Sequence, residues 1–519
     1  MPDAGIQLEA DAPAAEARPV TSEAAPHGSA NSEIRKIGRH TAVYAAGVAL
    51  SKLAGFLMLP VYTRSLTPAD YGVLELLTMT IDLIGTVVGV GIAASVFKIH
   101  SDAVGKRAQD TVLSTAAITV LFISSLTALA GVFFSGPLTD TVLGASGKPI
   151  YFRLFFIIYL AETAAAIPML LLRLQERSLQ FVLVNLAKLV TVLALNIYFV
   201  VILRMGVLGV LFGSLLANIA VSLLLSFYLF RNVGAHLSMP DLRRMARFGY
   251  PLSLWFIANF VVVFSDRYFI NHYAGPTAVG LYSLGAKFAF LLSAFAFTPF
   301  QMIWDPQRFA IAKRPDAAHI YRNVFMYLNL ALGTIALFIA LFASDVIRVI
   351  AAPSFSAARG IVPLLLVSQI IFHWTAFANL GIFLRNKTHI LAIIAVNGVL
   401  AVLALNYLLV PRYGAWGAAI ASIIAYAVRF VTVYVVSQRQ YRVDYPWSGV
   451  LRLYGILIAI VFVRQLANHL SVVSSVAVSI LLALVAIVAI YFAVLGEAER
   501  RVVRRVIAQP RAFMSLVRT

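Results

Sequence analysis

The amino-acid sequence predicts an all-α protein that crosses a membrane about fourteen times, and three observations carry that expectation. Of its 519 residues, 61% are hydrophobic and only 12% are charged. With a mean hydropathy of +0.89, there is too little polar surface to clothe a globule in water. The apolar residues run unbroken for about 20 at a time instead of alternating, so the spans are helices, whose backbone groups are satisfied internally in lipid, and not barrel strands. The lysines and arginines, finally, concentrate in every second connection.

Residues 1–33 are rich in Ala, Pro, Ser and acids (Asp3, Glu9, Asp11, Glu16, Glu23) and hold no apolar run. They read as a disordered cytoplasmic tail; the basic start and apolar core of a signal peptide are both missing. Arg35, Lys36 and Arg39 then precede the first run. The runs fall at 41–62, 72–97, 112–134, 151–172, 180–203, 206–230, 248–270, 279–303, 323–343, 361–384, 389–410, 414–437, 448–468 and 471–495. Every connection is short, and no extramembrane domain fits between them.

With the N-terminus in the cytoplasm, the inside segments carry 28 Lys and Arg and the outside segments 8. That alternation supports an even number of spans with both termini inside. It also accounts for the net charge of +19 as membrane topology, and no nucleic-acid partner is expected. The absence of cysteine excludes disulfides, thiolate metal sites and cysteine nucleophiles together. The tail 496–519 interleaves Val502, Val503 and Ile507 with arginines; a helix lying on the anionic inner leaflet and a solvated basic tail fit it equally well.

An internal ruler divides the chain. SLTPADYGVLEL at 65–76 returns as YAGPTAVGLYSL at 273–284, with Pro68 and Gly72 falling on Pro276 and Gly280, an offset of 208. RMGVLGVLFGS at 204–214 and RYGAWGAAIAS at 412–422 match at the same offset, through Arg204/Arg412, Gly206/Gly414, Gly209/Gly417 and Ser214/Ser422. Two segments sharing one offset indicate a duplication. Six spans in each copy make the copies parallel, related by an axis along the membrane normal. The expected organisation is an N-lobe over 34–232, a C-lobe over 240–440, and two further spans over 446–495 outside the duplication.

With its two six-span lobes, the basic start before span 1, the LTPADYG loop after it, and SDRYFI at 265–270 before GPTAVGLYSL, the chain resembles the oligosaccharide flippases. These form the polysaccharide-export branch of the MOP superfamily, which also holds the MATE-type multidrug antiporters and the lipid II flippases. The similarity covers roughly residues 33–495. The resemblance implies a MATE-like fold in a bacterial inner membrane and transport instead of catalysis. The implied cargo is a polyprenyl-pyrophosphate-linked oligosaccharide, an O-antigen or exopolysaccharide repeat unit, turned from inner to outer leaflet. It implies the lipid bilayer and other polysaccharide-assembly membrane proteins as further partners.

Such a cargo brings a doubly charged pyrophosphate that cannot enter hydrocarbon unaided, so its carrier needs a hydrated cavity with cations near mid-depth. At about 1.5 Å per residue, Lys52 lies near the midplane on span 1, Lys188 in the inner half of span 5, Lys287 in the outer half of span 8 and Arg429 in the inner half of span 12. Lys52 and Lys287 are expected to line the cavity in preference to snorkelling; for Lys188 and Arg429, snorkelling to the inner face is an equal alternative. Asp82 on span 2 and Glu162 on span 4 are mid-membrane acids, open to ion coupling or to pairing with Lys52 or Lys188. Glu75 lies nearer the outer end of span 2. Four deep cations against two deep acids leave an interior of about +2, the sign suited to an anion. Asp266 beside Arg267 reads as a local structural pair or outer-edge anchor, His373 beside Trp374 as a packed aromatic pair, and Trp304, Trp416 and Trp447 as belt residues at span ends.

No phosphate-binding loop, metal-ligand cluster or nucleophile elbow occurs, so no cofactor or metal is expected. Two other readings stay open: an ion-coupled MATE-type small-molecule antiporter, which shares the architecture, and a membrane-embedded glycan polymerase or ligase, which calls for a sizeable outer loop.

Overall fold

The computed structural model describes residues 56–500 apart from 57, 89, 386, 468–470, 495 and 498–499. Only the end of the first expected span therefore lies in it, as α1 (Leu59–Ser65), followed by α2 (Pro68–Val88) and α3 (Val90–Asp102) along the second. The rest of the first lobe is α4 (Lys106–Phe133), the short α5 (Ser135–Val142), α6 (Pro149–Leu174), α7 (Ser178–Asn196, prolonged by a π-turn over Ile197–Ile202) and α8 (Gly206–Val233). The second lobe comprises α9 (Met239–Leu292), α10 (Thr298–Ile311), α11 (Ala317–Ile350), α12 (Ala358–Ala378), α13 (Leu380–Leu384) and α14 (Thr388–Gln440). Two further helices follow, α15 (Trp447–Leu466) and α16 (Val472–Ala493). Among the described residues there is no strand, and 10 helical stretches are long and apolar enough to cross a membrane.

Two of those stretches are hairpins. In α9 the chain reverses at Gly275, whose φ of 78° suits a residue without a Cβ; Pro276 then starts the returning arm, where its missing N–H costs nothing. The arms lie side by side, with Phe264 and Phe290 at 6.1 Å between ring centroids and the Tyr282 hydroxyl donating to Asp266. In α14 the reversal is at Gly414, φ 54°, and a Cβ on Gly398 of one arm would stand 3.4 Å from the Arg429 stem on the other.

The 208-residue offset is visible in the packing. Gly206 and Gly414 both take positive φ, 58° and 54°. A Cβ on Gly209 would stand 3.2 Å from that of Met205, and one on Gly417 would stand 3.1 Å from that of Tyr413, the same contact one repeat later. The two PxxxG segments pack on each other reciprocally: Gly72 lies against the Pro276 carbonyl and Gly280 against the Pro68 carbonyl. Each contact becomes the other when the copies are exchanged, as an axis between two parallel lobes requires.

At this end, the Pro68 end, further contacts tie the lobes. Arg64 donates to the Val349 carbonyl at 2.6 Å, Asn271 donates to the Val142 carbonyl at 2.8 Å, and Tyr71 meets Phe355 edge-on at 5.9 Å. The amphipathic α5, which has no counterpart among the apolar runs, supplies the Val142 acceptor. On the far side of the same helix pair, Gly91 of α3 packs on Gly249 of α9, and the Thr80 and Tyr268 hydroxyls lie 3.0 Å apart.

Several sequence expectations change here. Arg464, expected in an outer connection, is 3% exposed and bonds Asp345 of α11 at 2.9 Å, because that face of α15 turns toward α11 and not toward water. Trp304 is no belt residue: it is buried, stacked on Phe377 at 4.7 Å and on Phe300 at 5.7 Å. Trp447 joins the same aromatic cluster through Phe325 and Trp374. His373 and Trp374 do not pack as a pair. Successive helix positions point about 100° apart, so His373 stacks on Phe297 at 4.0 Å while Trp374 donates to Asn329 at 2.6 Å, an acceptor shared with Tyr454 at 3.1 Å.

Candidate functional site

Polar side chains on lipid-embedded helices turn inward because facing hydrocarbon costs several kcal/mol, and in this fold they converge on two adjoining cavities. The N-lobe cavity, of about 460 Å³, lies among α2, α6, α7 and α8 and receives Glu75, Asp82, Glu162, Lys188 and Lys287. The interlobe cavity, of about 410 Å³, lies between α2 and the two arms of α9 and receives Glu75, Asp82, Arg267, Ser283, Lys287 and Ser293. Both volumes fall in the range of ligand-binding clefts.

The helical repeat explains the convergence. Glu75, Thr78 and Asp82 fall at i, i+3 and i+7 of α2 and so share one face. Lys188 comes from α7 to within 3.4 Å of Glu162 on α6, both side chains partly exposed to the cavity. Lys287, on the returning arm of α9, reaches Glu75 at 2.5 Å and lies 4.8 Å over the Tyr71 ring. Asp82 is exposed and forms no ion pair among the described residues.

Of the residues singled out from sequence, Lys188, Lys287, Asp82 and Glu162 thus share one cavity, and Glu162 pairs with Lys188. Lys52 lies outside the described residues. Arg429 is held apart from them in the second lobe, its guanidinium 3.4 Å from Asn259 Oδ1 and 6.0 Å from the Phe372 ring. Its Nε and Nη1 are buried with no hydrogen-bond partner among the described residues. Arg267 is 3% exposed, bonded to Asp266 at 2.6 Å and to the Val263 carbonyl at 3.0 Å; it is an interior residue on the cavity wall and not an outer-edge anchor.

Sequence reasoning missed Glu75. Placed near the outer end of its span, it was left out of the interior charge, yet α2 begins at Pro68 and carries Glu75 two turns into the bundle. Around the N-lobe cavity the described residues contribute three acids and two lysines; Lys52, counted in the expected positive balance of the interior, lies outside the described residues. The i, i+7 spacing to Asp82 was the signal that would have placed it. Among the described residues no cluster of His, Asp and Glu is arranged to hold a metal.

Two packed helical lobes of long apolar helices around polar cavities define a multi-pass membrane protein, and its fold is similar to that of solved transporters. A MATE family multidrug resistance transporter of the MOP superfamily, in its inward-facing conformation, is 17% identical, covering 75% of this chain and 94% of its own at a TM-score of 0.60. The lipid II flippase MurJ, in an inward closed conformation, is 11% identical and covers 86% of this chain and 98% of its own at 0.64. The family model described as polysaccharide biosynthesis protein matches residues 37–306. The chain belongs to that family. An uncharacterized membrane protein of Haemophilus influenzae is 23% identical over 270 residues, 50% of this chain and 61% of the relative, so the match spans less than two thirds of that relative's length.

Proposed function

We propose that the protein is a flippase for a lipid-linked oligosaccharide, passing its glycan and pyrophosphate through the cavities by alternating access of the two lobes, from the cytoplasmic to the outer leaflet of a bacterial inner membrane. Family membership supplies the polysaccharide context. The observation that carries the reading further is that Lys188 and Lys287 open onto one cavity, each already neutralised by a carboxylate. A lysine with a resident carboxylate is affordable in an empty membrane site and offers its ammonium to a phosphate on exchange. The route from cytoplasm to outer leaflet rests on the loop-charge asymmetry, which puts the Pro68 end outside. Lys52 is proposed to join these lysines, and Arg429 to serve the second lobe.

In a strain dependent on this chain for surface glycan, Lys287→Ala and Lys188→Ala are each expected to lower export at least about tenfold, since a hydrogen bond to a charged group contributes about 1.5–3 kcal/mol, with normal membrane insertion by immunoblot. Wild-type glycan levels in both variants refute the cavity assignment. A MATE-type antiporter is favoured by one observation, the excess of acids around the N-lobe cavity with Asp82 in no ion pair among the described residues. That reading predicts cation-drug efflux sensitive to Asp82→Asn, with glycan export unaffected.

A further inference from the structure

The two cavities meet at one ion pair. Glu75, Thr78, Asp82 and Lys287 line both, and across that shared wall the Lys287 ammonium and the Glu75 carboxylate stand 2.5 Å apart. The bond joins α2 of the first lobe to α9 of the second. The Lys287 side chain remains 34% exposed against 15% for that of Glu75, so the lysine is held and still lines both cavities. The duplication makes this bond single. At the offset of 208, Glu75 corresponds to Ser283 and Lys287 to Met79, and all four line the interlobe cavity. Ser283 and Met79 cannot form the symmetry-related pair, so one exchange is enough to remove it.

We propose that the Glu75–Lys287 pair is a removable partition: an anionic group of the cargo takes the place of Glu75 on Lys287, the ionic bond between the lobes is lost, and the two cavities become one. The inference rests on the anionic lipid-linked cargo proposed above. A phosphate oxygen and a carboxylate compete for the same donors, and the more highly charged group is the stronger partner. Once released, Glu75 is kept from Lys287 by the like charge of the anion that has taken its place.

The chain has no cysteine, so single introduced cysteines report without background. Ser214→Cys faces the N-lobe cavity alone and Ala294→Cys the interlobe cavity alone. Their reaction rates with a charged thiol reagent are measured in the purified full chain, with inorganic pyrophosphate as probe and its binding followed by calorimetry. Pyrophosphate is expected to raise the rates about fivefold, in keeping with a partly exposed ion pair. Glu75→Gln should raise them as much without it, and Glu75→Lys combined with Lys287→Glu should restore the slow rates. Unchanged rates in Glu75→Gln overturn the partition, while pyrophosphate binding in the same samples leaves the cargo reading intact. Fast rates in Glu75→Gln without any pyrophosphate binding support the partition and sink the anionic trigger together with the cargo reading.

Discussion

Asp345→Ala is expected to destabilise the protein by about 3–5 kcal/mol and to free α15 and α16 from the second lobe. Asp345 and Arg464 are 4% and 3% exposed, and Asp345 uses both oxygens: one accepts from Arg464 at 2.9 Å, the other from Ser475 at 2.6 Å. Arg464 also donates to Ser479 at 2.8 Å, and Ser479 donates to the Leu341 carbonyl at 3.1 Å. One carboxylate thus knits α11, α15 and α16 together, and its removal takes from the buried guanidinium the carboxylate at 2.9 Å, in a medium that cannot hydrate that charge. Replacing both partners with apolar residues, Asp345→Leu with Arg464→Met, is expected to recover most of the loss, since desolvation and attraction disappear together. Denaturant unfolding in detergent checks both. A single variant as stable as wild type, or a double variant no better than the single, would show that the pair does not anchor these helices.

Gly72→Val is expected to abolish export while sparing insertion. A Cβ at Gly72 meets the Pro276 carbonyl and stands 3.0 Å from the Gly280 nitrogen. The obstacle is backbone on both sides, with no side chain to step aside, so α2 and α9 must separate, at the cost typical of overpacked contacts, about 1–3 kcal/mol. Since that contact joins the two lobes at the Pro68 end, a cysteine at Ala294 should become reactive to an impermeant reagent added from that side. Gly280→Val should give the same result, and the double variant little more, because both remove one contact. Gly136, with nothing within 4 Å, is the control. Normal export in Gly72→Val would mean that this end need not close so tightly.

The fold was largely legible in the sequence because its causes are local. Apolar runs of span length make helices wherever the solvent is lipid. Gly275 and Gly414 mark reversals through φ values that suit glycine, 78° and 54°, and a fixed offset survives in the chain as in the packing. What failed were statements about facing. Arg464, Trp304 and the pair His373 and Trp374 were assigned from depth or adjacency, but the side of a helix that meets a neighbour depends on how the helices are rotated and crossed.

The site divides the same way. The sequence by itself determined that Lys188, Lys287, Asp82 and Glu162 lie in long apolar runs that must be helical, and that such charges avoid lipid. Only the tertiary structure decided their partners: Glu162 for Lys188, Glu75 for Lys287 across the lobes, and Asn259 for Arg429 within the second lobe. An ion pair is a coincidence of two helices in space within a few ångströms, whereas a chain written in one dimension records only how deep each helix carries its charge.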